Sequence, residues 1–475
     1  MFVVTGPDYG YASSDPAKAQ KTILEVFEYL KQNHINHPSV EQLMEGAIWG
    51  MIDALEDPYT AYLSEEEVKK LTEDLNGGYE GVGLYLEGKP DYPRVQEVFP
   101  DSPAAKAGVR VGDTIKEVGG VDVKGWPLTE VVEKIKGPVG TEVVLGLDRE
   151  GTAVRVRLKR AHLNIPSVES KIIGRSTGYI AVKSFGMNTP EEFKAKLDDL
   201  SAHHITGLVI DLRDNPGGYL MASLKMAETF LEPDAVILVT KIYDGSVERY
   251  RADKDLQTVK MPVVILVNSQ TASAAEIFTG ALQDNGVATL VGEKTFGKGV
   301  AQNIINLKSG GALKLTTTEY TTPKGRLVNN NGLTPDFQVL TRELQLPFAL
   351  RLLEPRPKQI KFTPGSGEVT VDSDKMLTRN KPVIRDKTAF LPLRFTFEAL
   401  GYVVSWEEMT GKITARKGNA KIIIPATGNP LFNGREIKTE NPVYTEEGVS
   451  YISLDLIKAL GFACRQAEGR IIIEG

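Results

Sequence analysis

The chain has 475 residues, of which 41% are hydrophobic, and carries a formal net charge of −6. At about 100–200 residues per domain, this length predicts three or four units rather than a single core. The mild negative charge excludes the basic surface of a nucleic-acid-binding protein, no apolar run reaches the ~20 residues of a membrane-spanning helix, and the single cysteine, Cys464, excludes an internal disulfide framework.

Residues 1–75 are predicted to form a helical region. Apolar side chains recur at helical spacing over Ile23–Leu30 and again over Leu43–Leu55. Amphipathic helices of this kind cover a core or pair with a second copy, so this region is expected to support a homodimer. The apolar start of the chain is too short for a signal-peptide core, and no leader or anchor is evident.

Residues 76–160 are predicted to form a small β-rich module. Five short runs of β-forming residues alternate with turns, and one helix is predicted at Leu128–Ile135. The five runs are Val82–Leu86, Arg94–Val98, Thr114–Val118, Glu142–Leu147 and Ala153–Leu158.

Residues 161–354 are predicted to form an α/β core. The runs Gly207–Leu212 and Pro262–Val267 are continuously apolar, as expected of parallel strands that are buried on both faces. A helical pattern follows each of them, which predicts an open sheet covered by helices.

Residues 355–367 are predicted to be a linker because they are rich in proline and glycine. Beyond it, residues 368–475 contain an internal repeat with a period near 60 residues. The segments starting at Phe390 and Ala399 recur at Tyr451 and Ala459, with a slip of one residue between the two blocks. A duplicated module favours a binding or spacing role over chemistry.

The first candidate for catalysis is Ser273. It follows the predicted strand Pro262–Val267 and precedes a helix whose apolar residues begin at Ala274. Backbone N–H groups at a helix start are unpaired and can stabilise an oxyanion beside a serine. Ser273-Ala-Ala-Glu276 also matches a capping box, so the same pattern has a purely structural interpretation.

The second candidate lies in Gly292-Glu-Lys-Thr-Phe-Gly-Lys-Gly299, which nearly matches the phosphate-binding loop of nucleotide-binding proteins. Gly299 stands where the Mg²⁺-binding hydroxyl belongs, and the residues after it have the pattern of a strand rather than a helix. Nucleotide binding is therefore rejected.

Lys298 in this loop has a different use. Its flanking glycines let the chain bend towards another segment, and a desolvated, uncharged amine can take the proton of a serine. In a strand Gln302 would share a face with Lys298 and could orient its amine without charging it. The alternative is an ordinary surface lysine.

The third candidate is Asp211-Leu-Arg-Asp-Asn-Pro-Gly-Gly218 at the end of a predicted strand. Ligand sites in parallel sheets form at the carboxyl ends of strands. The N–H of Gly217 or Gly218 could be a second oxyanion donor, although the same residues also fit a simple turn.

Together these motifs, with Thr321-Thr-Pro-Lys-Gly325 and Gly332-Leu-Thr-Pro-Asp336, resemble the carboxyl-terminal processing proteases over residues ~20–345. The resemblance implies a serine endopeptidase in which Ser273 is the nucleophile, Lys298 the base and Gln302 its partner. It also implies oxyanion donors at Ala274 and at Gly217 or Gly218. No cofactor or metal is implied.

The β-rich module resembles a PDZ domain. Gly81-Val82-Gly83-Leu84 is similar to the loop that binds a chain-terminal carboxylate, and the segments after Ser102 and Val111 match its continuation. The resemblance implies substrates held by a nonpolar C-terminus and a PDZ domain that gates activity.

The duplicated region resembles the copper-amine-oxidase-N-like, or stalk, domains of Gram-positive surface proteins. Residues 205–475 contain no histidine, which excludes a histidine-bound metal there. The resemblance implies an extracytoplasmic protein with a contact to the cell wall.

The predicted protein is thus a multidomain α/β and β chain. It combines a helical N-terminal region, a PDZ module, an α/β Ser-Lys protease core and a duplicated α+β C-terminal domain. The competing hypothesis is a catalytically silent scaffold of the cell envelope that binds peptides without cleaving them.

Overall fold

A computed structural model describes residues 15–75, 78–164, 166–255, 258–354, 358–467 and 469–475. The chain forms two compact units. One, the N-terminal unit, contains the residues up to 70 together with 301–317, and the other contains 71–300 together with 318–475. Within the described ranges, no helix is both long enough and apolar enough to cross a bilayer.

The N-terminal unit is built from helices, as its apolar spacing predicts. The elements at this end of the chain are α1 (Pro16–Asn33), α2 (Val40–Asp53), β1 (Ala61–Leu63) and α3 (Glu65–Leu75). Asp15 caps α1, and Ser39 with Gln42 forms a capping box at α2. No residue of α1 is buried, so its apolar side chains face outward in the isolated chain.

The β-rich module is a twisted antiparallel sheet whose core contains the predicted apolar runs. Its strand order is β3-β4-β5-β7-β8, with β6 paired to β5 and a separate β2–β9 ladder. The elements are β2 (Gly78–Gly81), β3 (Leu84–Glu87), β4 (Arg94–Val98), α4 (Pro103–Lys106), β5 (Thr114–Val118), β6 (Val121–Asp122), α5 (Leu128–Ile135), β7 (Glu142–Arg149), β8 (Thr152–Lys159) and β9 (Ala161–Asn164).

The predicted α/β core is a six-stranded sheet with the order β10-β11-β12-β15-β16-β19. All pairings from β11 to β19 are parallel, while β10 joins β11 antiparallel. Its strands are β10 (Val168–Ile173), β11 (Thr177–Val182), β12 (Gly207–Asp211), β15 (Val263–Val267), β16 (Ala288–Gly292) and β19 (Phe337–Gln338).

Helices cover both faces of this sheet. Leu208 and Ile210 pack on one side in a core with three helices, α6 (Thr189–Ala202), α7 (Leu220–Glu228) and α8 (Ala274–Asp284). Val209 faces the other side, where α9 (Arg342–Leu353) packs. Burial on both faces explains why β15 is apolar at every position and why β12 is apolar up to Asp211 at its end.

Four further strands complete this part of the chain: β13 (Val236–Ile242), β14 (Val247–Arg251), β17 (Val300–Asn306) and β18 (Ala312–Thr321). β13 pairs antiparallel with β14 and with the end of β18, where Thr240 faces Tyr320. The start of β18 pairs with β1 in the N-terminal unit, where Ala61 faces Lys314.

The C-terminal module, defined here as residues 359–475, forms three antiparallel sheets and two short helices over its described residues, 359–467 and 469–475. Its elements are β20 (Gln359–Phe362), β21 (Glu368–Val371), β22 (Asp374–Leu377), β23 (Val383–Arg385), β24 (Thr388–Pro392), α10 (Leu393–Ala399), β25 (Val403–Glu407), β26 (Lys412–Lys417), β27 (Ala420–Ile424), β28 (Leu431–Phe432), β29 (Arg435–Glu436), β30 (Val443–Glu446), β31 (Val449–Ser453), α11 (Leu454–Ala459), β32 (Ala463–Ala467) and β33 (Arg470–Glu474).

The internal repeat corresponds to two strand–helix units, β24–α10 and β31–α11. Their strands pair antiparallel with each other, so that Leu391 faces Ile452. The structure differs from the sequence prediction at the linker, because Gln359–Phe362 forms β20 between β21 and β33. Ile360 and Phe362 are buried there, whereas the nearby prolines and glycines gave the segment the composition of a loop.

Candidate active site

Ser273 occupies a strained corner between β15 and α8. It is the N-cap residue of α8, with φ 54° and ψ −119°. A positive φ is rare for a residue with a side chain and costs on the order of 1–3 kcal/mol, so the surrounding contacts must hold it in place. The corner places a half-buried serine at the start of a helix, as the sequence predicts.

The peptide between Ser273 and Ala274 has its carbonyl engaged. The Ser273 carbonyl accepts the N–H groups of Glu276 and Ile277 and the Tyr320 hydroxyl, at 2.8, 3.0 and 3.2 Å. Since the two groups of a trans peptide point in opposite directions, the Ala274 N–H points away from these partners. Among the described residues it has no backbone hydrogen-bond partner.

Glu276 is the centre of the hydrogen-bond network. Its fully buried carboxylate accepts the N–H of Ser273 and the N–H of Lys298 on one oxygen, each at 2.9 Å. The other oxygen accepts the Gly297 N–H at 2.8 Å and the Thr295 hydroxyl. Burial raises the pKa of Glu276, while these four donors oppose that shift.

Tyr320 joins the same two segments from β18. Its buried hydroxyl lies 3.2 Å from the Ser273 carbonyl and makes a short hydrogen bond to the Lys298 carbonyl. The backbones at Ser273 and Lys298 are therefore joined twice, once through a carboxylate and once through a phenol.

The glycines beside Lys298 are required by close backbone contacts. A Cβ on Gly299 would lie 2.1 Å from the Asn329 nitrogen, and one on Gly297, whose φ is 93°, would lie 2.8 Å from the Gly332 nitrogen. Residues 300–306 form β17 rather than a helix, which agrees with the rejection of a nucleotide-binding loop. The Lys298 side chain is half-buried.

The loop after β12 approaches Ser273 closely. A Cβ on Gly217 would lie 2.8 Å from the Ser273 Cβ and 2.9 Å from the Ala274 nitrogen. The Gly217 N–H donates to the Asn215 side chain at 2.8 Å, and the Gly217 carbonyl accepts the Phe185 N–H at 2.8 Å. The Gly218 N–H, which shares a peptide with that carbonyl, points away from Phe185.

Two polar pairs hold this loop against the serine loop. Asp214 and Asn268 exchange hydrogen bonds, with the Asp214 N–H and the Asn268 side-chain amide as donors. The Asn215 carbonyl accepts the Ala272 N–H at 3.0 Å. The motifs that carry Ser273, Lys298 and the glycine pair are thus brought together.

Gln302 belongs to the N-terminal unit, through residues 301–317. Its side-chain amide donates to the Thr316 hydroxyl at 3.2 Å. The predicted contact between Gln302 and the Lys298 amine stays a prediction.

Three residues of the network were not singled out by sequence reasoning. Tyr320 lies in a strand without any local signal of its role, and Asn215 and Thr295 were recognised only as parts of motifs. Glu276 was noted as a capping residue, and its wider role depends on contacts with a distant segment.

The predicted carboxylate loop of the β-rich module has its carbonyls turned inward. Those of Val82 and Gly83 accept the N–H groups of Ala104 and Phe99 at 2.9 and 3.0 Å. The N–H groups of Gly83 and Leu84 therefore point the opposite way. Gly83 has φ 87°, and Gly81 ends β2.

The structure offers no evident metal site, since no three His, Cys, Asp or Glu side chains converge within the described ranges. The segments that meet at Ser273 carry a hydroxyl, backbone N–H donors and the lysine of the loop after β16. This combination fits nucleophilic attack on a carbonyl.

Comparison with known families agrees with this chemistry. Residues 176–339 match the family model described as Peptidase family S41, and residues 94–149 match that of a PDZ domain. Residues 9–67 match the N-terminal domain of the activating protease CtpB, and residues 370–473 match the copper amine oxidase N-terminal domain.

Individual relatives cover most of the chain. Carboxy-terminal processing protease CtpA of Bacillus subtilis is 33% identical over 71% of this chain and 72% of its own length. CtpB of the same organism is 32% identical over 74% of each chain. A probable CtpA-like serine protease of Staphylococcus saprophyticus is 34% identical over 69% of this chain and 67% of its own length. The chain belongs to the carboxyl-terminal processing proteases, which are serine peptidases of family S41.

Proposed function

We propose that this peptidase cleaves proteins internally through a Ser273–Lys298 pair. The uncharged Lys298 amine takes the proton of the Ser273 hydroxyl as its oxygen attacks the substrate carbonyl. The ammonium then gives that proton to the leaving amine, and an acyl-enzyme remains on Ser273. A water molecule, deprotonated in turn by Lys298, releases the new C-terminus and restores the serine.

The Ala274 N–H and the Gly218 N–H are proposed to stabilise the oxyanion. The direction of the Ala274 N–H supports its part in this assignment. Of the two glycines, Gly217 already donates to Asn215, so Gly218 is favoured over Gly217. Gln302 is proposed to orient the Lys298 amine, because a neutral amide can do so without favouring the charged form.

The observation that carries the proposal is the shared Glu276 carboxylate. Two N–H groups that donate to one oxygen at 2.9 Å each cannot lie more than about 6 Å apart. Glu276 thereby limits the separation of the Ser273 and Lys298 backbones. This supports a pair built for proton transfer over a serine that only caps a helix.

The test is digestion of casein by purified variants. Ser273→Ala and Lys298→Ala should each lower the rate roughly 10³-fold or more, as losses of a nucleophile or base do in related chemistry. Lys294→Ala, an exposed lysine of the same loop, is the matched control and should cleave normally. Retained cleavage in either site variant would disprove the pair, and peptide binding without cleavage by the wild type would favour the silent scaffold.

The PDZ module is proposed to recognise substrates by a nonpolar C-terminus and to gate the active site. The outward N–H groups of Gly83 and Leu84 support this, since such donors hold a chain-terminal carboxylate while the substrate adds a strand. Cleavage of a substrate with a nonpolar C-terminal residue should be faster than that of its C-terminal amide. Equal rates for the two would contradict recognition of the carboxylate.

The N-terminal helices are proposed to form a homodimer. Exposed apolar side chains line both of them, and a solvated face of that composition is costly. They include Ile23 at 51% and Leu24 at 65% exposure in α1, with Met51 at 56% in α2. A second copy of the same helices would cover this surface.

The protein is proposed to act outside the cytoplasm, with the C-terminal module in contact with the cell wall. The match of residues 370–473 to the copper amine oxidase N-terminal domain supports this, because the sequence of this region resembles the related stalk domains of Gram-positive surface proteins. Purified protein with and without a blocking antibody to residues 368–475 should differ in sedimentation with peptidoglycan. Absence of any sedimentation would contradict the wall contact.

A further inference from the structure

We propose that Glu398, in the C-terminal module, is a positioning residue for the peptidase site. It acts through the start of α9 on the loop that holds Gly217 and Gly218. This inference rests on the proposed function, and it makes the C-terminal module part of the catalytic machinery rather than a spacer.

The first link joins the C-terminal module to α9. Glu398 in α10 is fully buried, and its two carboxylate oxygens accept the N–H groups of Leu340 and Thr341 at 3.2 and 3.0 Å. Thr341 is the N-cap residue of α9, but its own side chain makes no capping bond. A carboxylate from another module thus binds the two N–H groups that lead into α9, including that of the N-cap residue, at the helix end where negative charge interacts favourably with the helix dipole.

The second link joins α9 to the motif after β12. Arg342, the first residue of α9, forms an ion pair with Asp214, and this pair lowers the pKa of Asp214. Gln345 is fully buried and accepts a hydrogen bond from Arg213 at 3.1 Å. Arg213 in turn binds the nearly buried carboxylate of Asp211 at the end of β12.

The third link reaches the serine. Asp214 exchanges hydrogen bonds with Asn268, the first residue of the loop that leads to Ser273. Asn215 fixes the Gly217 N–H through its side chain and holds Ala272 through its carbonyl. A movement at the start of α9 would therefore be transmitted to both sides of the proposed oxyanion site.

Apolar packing makes the connection from Glu398 through α9 to the central sheet rigid. One continuous core contains Val209 and Leu266 from the central sheet, Phe348 from α9, and Phe397 and Ile452 from the C-terminal module. Arg351 of α9 adds a buried ion pair to Asp372 and a hydrogen bond to the Ala399 carbonyl. Close-packed interiors transmit small shifts because they cannot absorb them.

The internal repeat provides the matched control. In the alignment that equates Ala399 with Ala459, Glu398 corresponds to Lys458. Lys458 in α11 is exposed and pairs with Asp455 in its own helix. The two copies have therefore diverged at this position. The first copy has a buried carboxylate that contacts the start of α9, and the second has an exposed lysine.

The experiment compares Glu398→Gln with Lys458→Gln in the full chain. Glu398→Gln keeps the shape but removes the charge, and should lower kcat about fivefold with KM unchanged. A peptide aldehyde ending in a nonpolar residue forms a hemiacetal whose oxygen occupies the oxyanion site, so its affinity should fall by a similar factor. The matching peptide alcohol and the Lys458→Gln variant should behave as in the wild type.

Arg342→Gln is a second test that does not depend on a buried residue, because Arg342 is about half exposed and its replacement should leave the fold intact. It should reproduce the same loss of kcat and of aldehyde affinity. An unchanged kcat in soluble Glu398→Gln or in Arg342→Gln overturns the inference, as does a change in KM alone. If the wild type shows no Ser273-dependent cleavage, the proposed function itself fails, and the inference falls with it.

Discussion

The backbone N–H groups of Ser273 and Lys298 donate to the same oxygen of one buried carboxylate, that of Glu276. The two residues come from different loops, one after β15 and one after β16. A capping residue of α8 thereby limits the separation of the backbones that carry the proposed nucleophile and base.

Replacement of Glu276 by glutamine should lower kcat/KM about 10²-fold or more, because the new amide group would face N–H or O–H donors in place of an acceptor. The measurement is casein or peptide cleavage by soluble protein with an unchanged far-UV spectrum. Glu232→Gln, at an exposed glutamate, is the control. Activity within twofold of the wild type would show that the shared carboxylate does not set the geometry.

The same carboxylate predicts an acid limit to activity. Burial raises the pKa of Glu276, so it should take up a proton at a higher pH than an ordinary glutamate. Protonation removes an acceptor from the network, and activity should fall as the pH decreases through this raised pKa. The measurement is the pH profile of kcat in the wild type and in Glu276→Gln, because the proposed base Lys298 must also be uncharged for activity. The same acid limb in both proteins would contradict the assignment to Glu276.

The glycine pair after β12 should tolerate no side chain. A Cβ on Gly218, whose φ is 143°, would lie 2.2 Å from the Phe185 oxygen, and one on Gly217 would meet the Ala272 oxygen at 2.8 Å. Gly217→Ala and Gly218→Ala should each lower kcat roughly 10²-fold, because the oxyanion donors move. Gly245→Ala, with φ 86° but open space around it, controls for backbone strain and should remain active.

Peptide binding by the PDZ module should depend on Gly83 in the same way. A Cβ there would lie 2.1 Å from the Ser102 Cβ, whereas at Gly108, with φ 76°, it would meet nothing within 4 Å. Gly83→Ala should weaken binding of a peptide with a free nonpolar C-terminus at least ~10-fold by calorimetry. Equal weakening in Gly108→Ala would assign the effect to strain rather than to the loop.

The stability of the β-rich module should depend on pH through Asp113. Its buried carboxylate pairs with Arg149 at 2.7 Å, and the hydrogen bond from Arg149 lowers the pKa of Asp113. Since the folded pKa lies below the unfolded one, the stabilisation is complete above the unfolded pKa and is lost as the pH falls through the folded pKa. Asp113→Asn should cost about 2–3 kcal/mol of unfolding free energy at pH 7 and flatten this dependence in chemical denaturation.

Charge placed on the exposed apolar face of the N-terminal helices should separate the proposed dimer. Leu24→Glu combined with Met51→Glu would bury four carboxylates in a symmetric interface. Desolvation of these unpaired charges would be more unfavourable than the apolar contacts of the interface are favourable. Light scattering should show a monomer at micromolar concentration, while Gln32→Glu, on the side of α1 away from Ile23, Leu24 and Phe27, stays dimeric. A monomeric wild type would refute the dimer directly.

Local patterns were sufficient for much of the fold. The alternation and apolar runs predict five strands of the β-rich module and the central strands β12 and β15, and the helical spacing after Ser273 predicts the start of α8 to within a residue. These predictions succeed because strand and helix periods are properties of a few neighbouring residues. The segment at Gln359–Phe362 shows the limit, because its burial between β21 and β33 is decided by partners far along the chain.

The same limit applies to the site. The order of residue types determined by itself that a serine lies at a helix start, that a lysine lies between glycines and that a glycine pair ends a strand. Only the tertiary structure decided that Glu276 serves both loops, that Tyr320 joins them again and that Glu398 binds the two N–H groups that lead into α9. Hydrogen bonds between buried groups depend on distance in space. Rules based on sequence spacing cannot predict partners that lie far apart along the chain and meet only in the folded protein.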